Sequence, residues 1–131
     1  MTLMFLNGGG MRGGPLHPHL RNAPLVKATA TAAKYRFYAV RGEFPALEPA
    51  GPGEPGYAVA GEVYDIPLTV LRDELLPAEP PELELGVVEL ADGSAALGML
   101  LRREATRPAS LTDISTPGDW RHYAGVRGAK Q

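Results

Sequence analysis

The stretch Asn7 to Gly14, Asn-Gly-Gly-Gly-Met-Arg-Gly-Gly, restricts this chain more than any other. Five of the seven residues from Gly8 to Gly14 are glycines, and they bring no side chain to a core. Their backbone is free to take φ > 0 and to approach another group closely, and their N–H donors are free to converge on an anion. An apolar run, Leu3-Met4-Phe5-Leu6, comes before them and Pro15 comes after. The segment therefore reads as a strand that ends in a glycine turn and feeds a short helix. Unpaired N–H groups at the start of that helix would add to the cradle. The expected ligand is a carboxylate or similar small anion, held by the backbone from Asn7 and Gly8 through Gly9, Gly10 and Met11.

The first strand, Thr2 to Leu6, is apolar throughout and expected to be buried on both faces. Pro15 suits the first position of a short helix over Leu16 to Asn22, limited by Pro18. Val26 to Val40 alternates in the manner of a strand, and its length predicts a bend or bulge among the alanines. Arg41 to Gly56 carries four prolines and four glycines and reads as a stiff loop, one role for which is to cover the glycine cradle. Tyr57 to Ile66 is the clearest strand after the first. Pro67 to Leu76 reads as a helix with Leu68, Leu71 and Leu75 in one stripe, broken by Pro77 to Pro81. Leu83 to Leu90 and Ala95 to Leu101 form a hairpin about Ala91-Asp92-Gly93-Ser94. Beyond Arg102 the chain reads as polar and irregular to Gly125, with a frayed tail over 126–131.

This order of elements predicts one α+β domain over residues 1–125, a small mixed β-barrel or strongly curved sheet with short peripheral helices. The 16 glycines and 13 prolines among 131 residues fit short strands with many turns better than a helical bundle. A net charge of −2 argues against nucleic acid and acidic membranes as partners. With no cysteine in the chain, disulfides and thiolate chemistry are excluded. The apolar start is too short to span a membrane and lacks a basic flank, so a cytoplasmic location is expected.

Gly8, Gly10 and Gly13 fit G-x-G-x-x-G between a strand and a helix. The dinucleotide reading fails because Pro15 and Pro18 leave too short a helix and no acidic residue ends a second parallel strand at the required distance. No Gly-Lys-Ser/Thr follows, which removes a phosphate-binding Walker loop. His17, His19 and His122 are the only histidines; their spacing matches no metal motif, and no metal or cofactor is expected. His17 or His19 is instead the candidate general base, since imidazole titrates in the useful range. Glu74 and Glu79 lie at the end of the helix and just after it, and Glu62 sits in a strand where a half-buried carboxylate needs a partner. The segment Asp113 to Tyr123 carries the single Trp and reads as a docking tail. Its Arg121 is a candidate carboxylate clamp. Arg12 would add charge at the turn, and Tyr38 and Tyr64 would line the pocket.

With these residues in view, the chain resembles the C-terminal domain of allophanate hydrolase, within the γ-glutamylcyclotransferase-like fold group. Pro15-Leu16-His17 is similar to that family's Pro-Leu-Asn after its glycine turn, and Thr29 to Tyr38 to its threonine-rich strand ending in Tyr-Arg-Leu-Tyr. Glu62-Val63-Tyr64 resembles its Glu-Val-Trp strand and Leu90 to Gly93 its hairpin. Asp113 to Tyr123 resembles its closing Asp-Ile-Thr…Gly-Gly-Trp-Arg-Tyr signature. Gly10 stands where the family turn carries a histidine. The resemblance implies a mixed β-barrel and, in some members, breakdown of N-carboxycarbamate after an amidase has acted on allophanate. In others it implies a structural or assembly role.

The leading expectation is therefore a stand-alone relative that binds a small urea- or amide-derived carboxylate at the glycine turn, in nitrogen metabolism, with His17, His19 or Glu74 moving a proton. One alternative is a non-catalytic partner of an amidase, or a homodimer module. Another is a γ-glutamylcyclotransferase releasing 5-oxoproline, for which the resemblance implies a glutamate soon after the helix, near Glu74 and Glu79.

Overall fold

The computed structural model describes residues 2–102 and 111–127. Eight strands form one mixed sheet that curls into a half-barrel: β1 (Leu3–Leu6), β2 (Leu25–Ala30), β3 (Tyr35–Val40), β4 (Phe44–Pro49), β5 (Ala60–Asp65), β6 (Leu83–Glu89), β7 (Ala95–Leu101) and β8 (Leu111–Asp113). The order across the sheet is β2-β5-β1-β7-β4-β3-β8, with β6 also paired to β7. A 3-10 turn, His17–Leu20, follows the glycine stretch. A helical segment runs from α1 (Leu68–Val70) through a π-helical turn (Leu71–Leu75) into α2 (Leu76–Ala78), and α3 (Trp120–Arg127) closes the described chain. None of the described helices is long and apolar enough to cross a membrane.

The apolar first strand lies mid-sheet. β1 pairs antiparallel with β5 and parallel with β7, so Met4, Phe5 and Leu6 are all buried, as a strand covered on both faces must be. One face packs Phe5 against Phe37, Leu47, Val63 and Val88. The other places Met4 and Leu6 against Leu20, Tyr64, Ile66, Leu71 and Leu75, beneath the helical segment. Each such fully buried large side chain contributes roughly 1.5–3 kcal/mol.

β7 is shared between two neighbours. Its Leu97 pairs with Met4 and its Gly98 with Phe5, whereas its Leu100 pairs with Leu47 of β4. Two parallel neighbours on one edge of a single strand must diverge, and the barrel opens between β1 and β4 at that point. The glycine stretch leaves β1 at this opening.

Several expectations are corrected by the structure. Val26 to Val40 is two strands broken between Ala30 and Tyr35, not one bent strand. Thr31 lies at the break, and its buried hydroxyl accepts from the Val59 N–H at 3.0 Å and donates to the Ala32 carbonyl. Arg41 to Gly56 holds β4, which pairs with β3 along its length. Pro45 and Pro49 fall at alternate register positions, where a missing N–H faces away from β3. Arg41 and Gly42 take φ of 51° and 72°, and the Glu43 N–H closes that hairpin on the Val40 carbonyl at 2.8 Å. The short helix starts after Leu16, with Pro18 and not Pro15 in its first turn. Pro77 lies inside the helical segment, and the π turn comes just before it. Proline removes an N–H and crowds the carbonyl four residues back, so the wider turn ahead of it accommodates the ring. The region expected to be irregular contains β8 and α3; the expected tail is helical to Arg127, and 128–131 lies outside the described residues, as does 103–110.

Candidate functional site

The glycine stretch folds as consecutive turns. The Met11 N–H donates to the Gly8 carbonyl at 3.0 Å, Gly14 to Met11 at 2.8 Å, Leu16 to Gly9 at 2.9 Å and His17 to Gly14 at 3.2 Å. Met11 drives its side chain into the core as the anchor of the loop. Gly13 sits at φ 88°, and a Cβ on Gly14 would lie 2.2 Å from the Gly9 oxygen, so neither position accepts a side chain without rearrangement. The N–H groups of Gly8, Gly9 and Gly10 donate to no acceptor among the described residues. Met11 was expected to share this role, but its N–H is already spent on Gly8.

Two cavities flank the loop. The larger, about 480 Å³, is bordered by Gly8, Gly9, Arg12, Trp120 and Arg121. The smaller, about 280 Å³, occupies the opening between β1 and β4. Asn7, Gly8, Gly9, Gly10, Glu79 and Trp120 are among its lining residues. Gly8, Gly9, Pro15, Glu43 and Trp120 border both. The β3–β4 hairpin supplies Glu43, so part of the 41–56 segment does flank the glycine turn.

Glu79 is the titratable group that stands out there. It follows α2, whose extension past Pro77 carries it to the cavity. Its carboxyl accepts no hydrogen bond from a described residue, and burial pushes it up to about 7. A carboxyl poised near neutrality can both take and give a proton at physiological pH. Glu74, the expected acid/base group, instead pairs with Arg21 at 3.2 Å on the outer surface.

Glu62 has the opposite environment. It is 2% exposed. Oε1 accepts from the Tyr64 hydroxyl at 2.6 Å and from the Arg12 N–H at 2.8 Å, and Oε2 accepts from Arg121 Nη2 at 3.0 Å. Burial alone would raise its pKa. The bonds from Tyr64, Arg12 and Arg121 outweigh that and hold the carboxyl below its ordinary value. Burial and the Glu62 charge together push the Tyr64 phenol up to about 12, so Tyr64 is a fixed donor. Arg121 also donates to the Arg12 carbonyl at 2.9 Å. Arg121 is thus a carboxylate clamp, but the carboxylate it holds is the protein's own Glu62. Arg12 borders the larger cavity, and no side-chain hydrogen bond or ion pair joins its guanidinium to a described residue.

The other expected site residues lie elsewhere. His17 Nδ1 donates to the Gly10 carbonyl at 3.0 Å, and its ring meets Tyr64 edge-on at 5.6 Å; it braces the loop and borders neither cavity. His19 borders neither cavity, and Tyr38 lies on β3 away from both. Tyr64 is buried beneath the loop and borders neither cavity. Among the described residues no group of three or more His, Asp or Glu side chains is arranged to hold a metal.

The profile of the allophanate hydrolase C-terminal domain matches residues 2–125. The chain belongs to that family. A crystal structure of a uropathogenic E. coli-specific protein superposes on this family member with a TM-score of 0.84 at 34% identity, covering 95% of each chain. Kluyveromyces lactis allophanate hydrolase superposes at a TM-score of 0.82 and 25% identity, over 93% of this chain but only 20% of that one. An AIG2-like protein from Mus musculus shares the fold at a TM-score of 0.56 and 21% identity, over 82% and 80% of the two chains. No protein of curated function matches the chain. The half-barrel with few short helices is therefore that of the allophanate hydrolase C-terminal domain and AIG2-like proteins.

Proposed function

We propose that this domain binds a small carboxylate carrying an amide- or urea-type nitrogen in the cavity between the Gly8–Gly10 amides and Glu79, and that Glu79 exchanges a proton with that nitrogen. The carrying observation is the Glu79 carboxyl, unpartnered among the described residues and titrating near neutrality, in the same cavity as the three open amides. Backbone N–H groups aimed at one point hold an anion without a mobile side chain, and Arg12 adds positive charge nearby.

N-carboxycarbamate is the substrate this pairing suits, and similarity to allophanate hydrolase supports the choice. One carboxylate rests on the glycine amides. Protonated Glu79 gives its proton to the nitrogen as the bond from nitrogen to the other carboxylate breaks. The bonding pair stays on nitrogen, CO₂ leaves, carbamate remains, and water restores the Glu79 proton. Glu79→Gln is expected to slow CO₂ release from amidase-generated substrate by about a hundredfold, the usual contribution of a positioned acid. An unchanged rate would overturn the catalytic part. Malonate, a stable dicarboxylate of similar span, is expected to appear at Gly8–Gly10 in soaked crystals; a cavity that stays empty would overturn the binding part.

One observation favours a second reading, in which the domain is an assembly partner. The match covers only a fifth of Kluyveromyces lactis allophanate hydrolase, so there the domain occurs within a larger protein. Co-purification with an amidase, together with a rate unaffected by Glu79→Gln, would select this reading. A 5-oxoproline release assay tests γ-glutamylcyclotransferase activity, for which the resemblance implies a glutamate soon after the helix, near Glu74 and Glu79.

A further inference from the structure

We infer that Glu62 and Arg121 are positioning residues that latch α3 to the glycine loop, so that docking of α3 and occupancy of the cavity are coupled. The inference rests on the carboxylate-binding reading of the loop.

The Arg12 peptide unit is gripped at both of its polar groups. Its N–H donates to Glu62 Oε1 at 2.8 Å, its carbonyl accepts from Arg121 Nη2 at 2.9 Å, and the same nitrogen reaches Glu62 Oε2 at 3.0 Å. Loop, strand β5 and helix α3 thereby close a ring through one buried carboxylate. A buried carboxylate is a costly way to stabilise a fold, since apolar packing would serve as well or better. Here its protein donors are Tyr64, the loop and α3, and it serves to fix one loop conformation.

The loop needs such fixing. Glycine loses more backbone freedom on ordering than any other residue, so an anion site built from the open amides of Gly8 to Gly10 needs the loop held in one arrangement. Met11 and His17 hold the loop from below, through the core and the Gly10 carbonyl. The Glu62–Arg121 pair holds it on the side facing α3. Trp120, the neighbour of Arg121, borders both cavities, so undocking α3 would release the latch and remove a wall together. Coupling of this kind is reciprocal: a ligand that needs the latched loop must also strengthen the docking of α3.

Amide hydrogen exchange of the full chain with and without malonate tests this. In the wild type, malonate is expected to slow exchange at Arg12 and along α3. Arg121→Ala is expected to lose protection at the Arg12 N–H and to bind malonate about tenfold more weakly or worse, as misplaced donors do. Arg121→Met keeps the length of the side chain and its helix propensity but has no donor for Glu62 or the Arg12 carbonyl. It should keep the wild-type circular dichroism and still lose affinity, which guards against an unfolded alanine variant. His122→Ala, on the same turn of α3 but outside the latch, should bind as the wild type does. Undiminished malonate binding by both Arg121 variants, or α3 exchange indifferent to malonate, would overturn the coupling alone. Failure of the wild type to bind malonate would overturn the carboxylate reading and the coupling with it.

Discussion

Two glutamates beside the glycine loop are moved in opposite directions by their surroundings. Glu79 has burial acting on it without a compensating partner, so its carboxyl stays protonated up to about 7. Between the unfolded carboxyl range and that value the folded state holds the extra proton, so stability falls as pH rises through the interval. Glu79→Gln is expected to flatten this fall, which amounts to on the order of 3 kcal/mol from pH 4.5 to 7. Denaturant unfolding of the two proteins across that range checks it. Glu62 behaves in reverse: its carboxyl lies below its ordinary value, so its contribution is present at neutral pH and is lost as pH falls through the folded pKa. Glu62→Ala would leave the Arg12 N–H and the Tyr64 hydroxyl without their acceptor, at a cost of roughly 2–3 kcal/mol readable as a drop in the unfolding midpoint. The need for a partner at Glu62 was legible from its place in a strand. The identity of that partner was not, because Arg121 lies 59 residues away and nothing local links the two.

At the scale of elements, the glycine stretch was the most legible part of the chain, and its turns divide its residues into two classes. A Cβ on Gly9 would meet Pro15 at 3.4 Å, an ordinary contact, whereas one on Gly14 would strike the Gly9 oxygen at 2.2 Å. Gly9→Ala is therefore expected to change stability by less than about 0.5 kcal/mol. Gly14→Ala should lose on the order of 2–3 kcal/mol, as overpacked sites do, and thermal unfolding of the pair checks the difference. Two elements escaped a reading of the sequence. β4 did because prolines at 45 and 49 resemble loop punctuation unless the register with β3 is known. The helical segment was expected to stop before Pro77, but its π turn lets it pass that proline. Glu74 is the acid/base candidate read from the sequence, while Glu79 is the carboxyl that borders the cavity.

For the whole molecule, α+β class, mixed sheet and family were all legible, because the strand pattern and the Glu62-Val63-Tyr64 and Trp120-Arg121 segments fall in a recognisable order. The opening between β1 and β4 was not, since it depends on β7 pairing with both along one edge. The cavity in that opening is the space the glycine amides would face, and the account stands on their doing so. A titration of isotope-labelled protein with malonate at pH 7, followed through backbone amide resonances, tests this most directly. The account predicts saturable shifts largest at Gly8, Gly9 and Gly10, with smaller ones at Arg12. Saturating malonate that left those three resonances in place, or moved only residues remote from the loop, would contradict it.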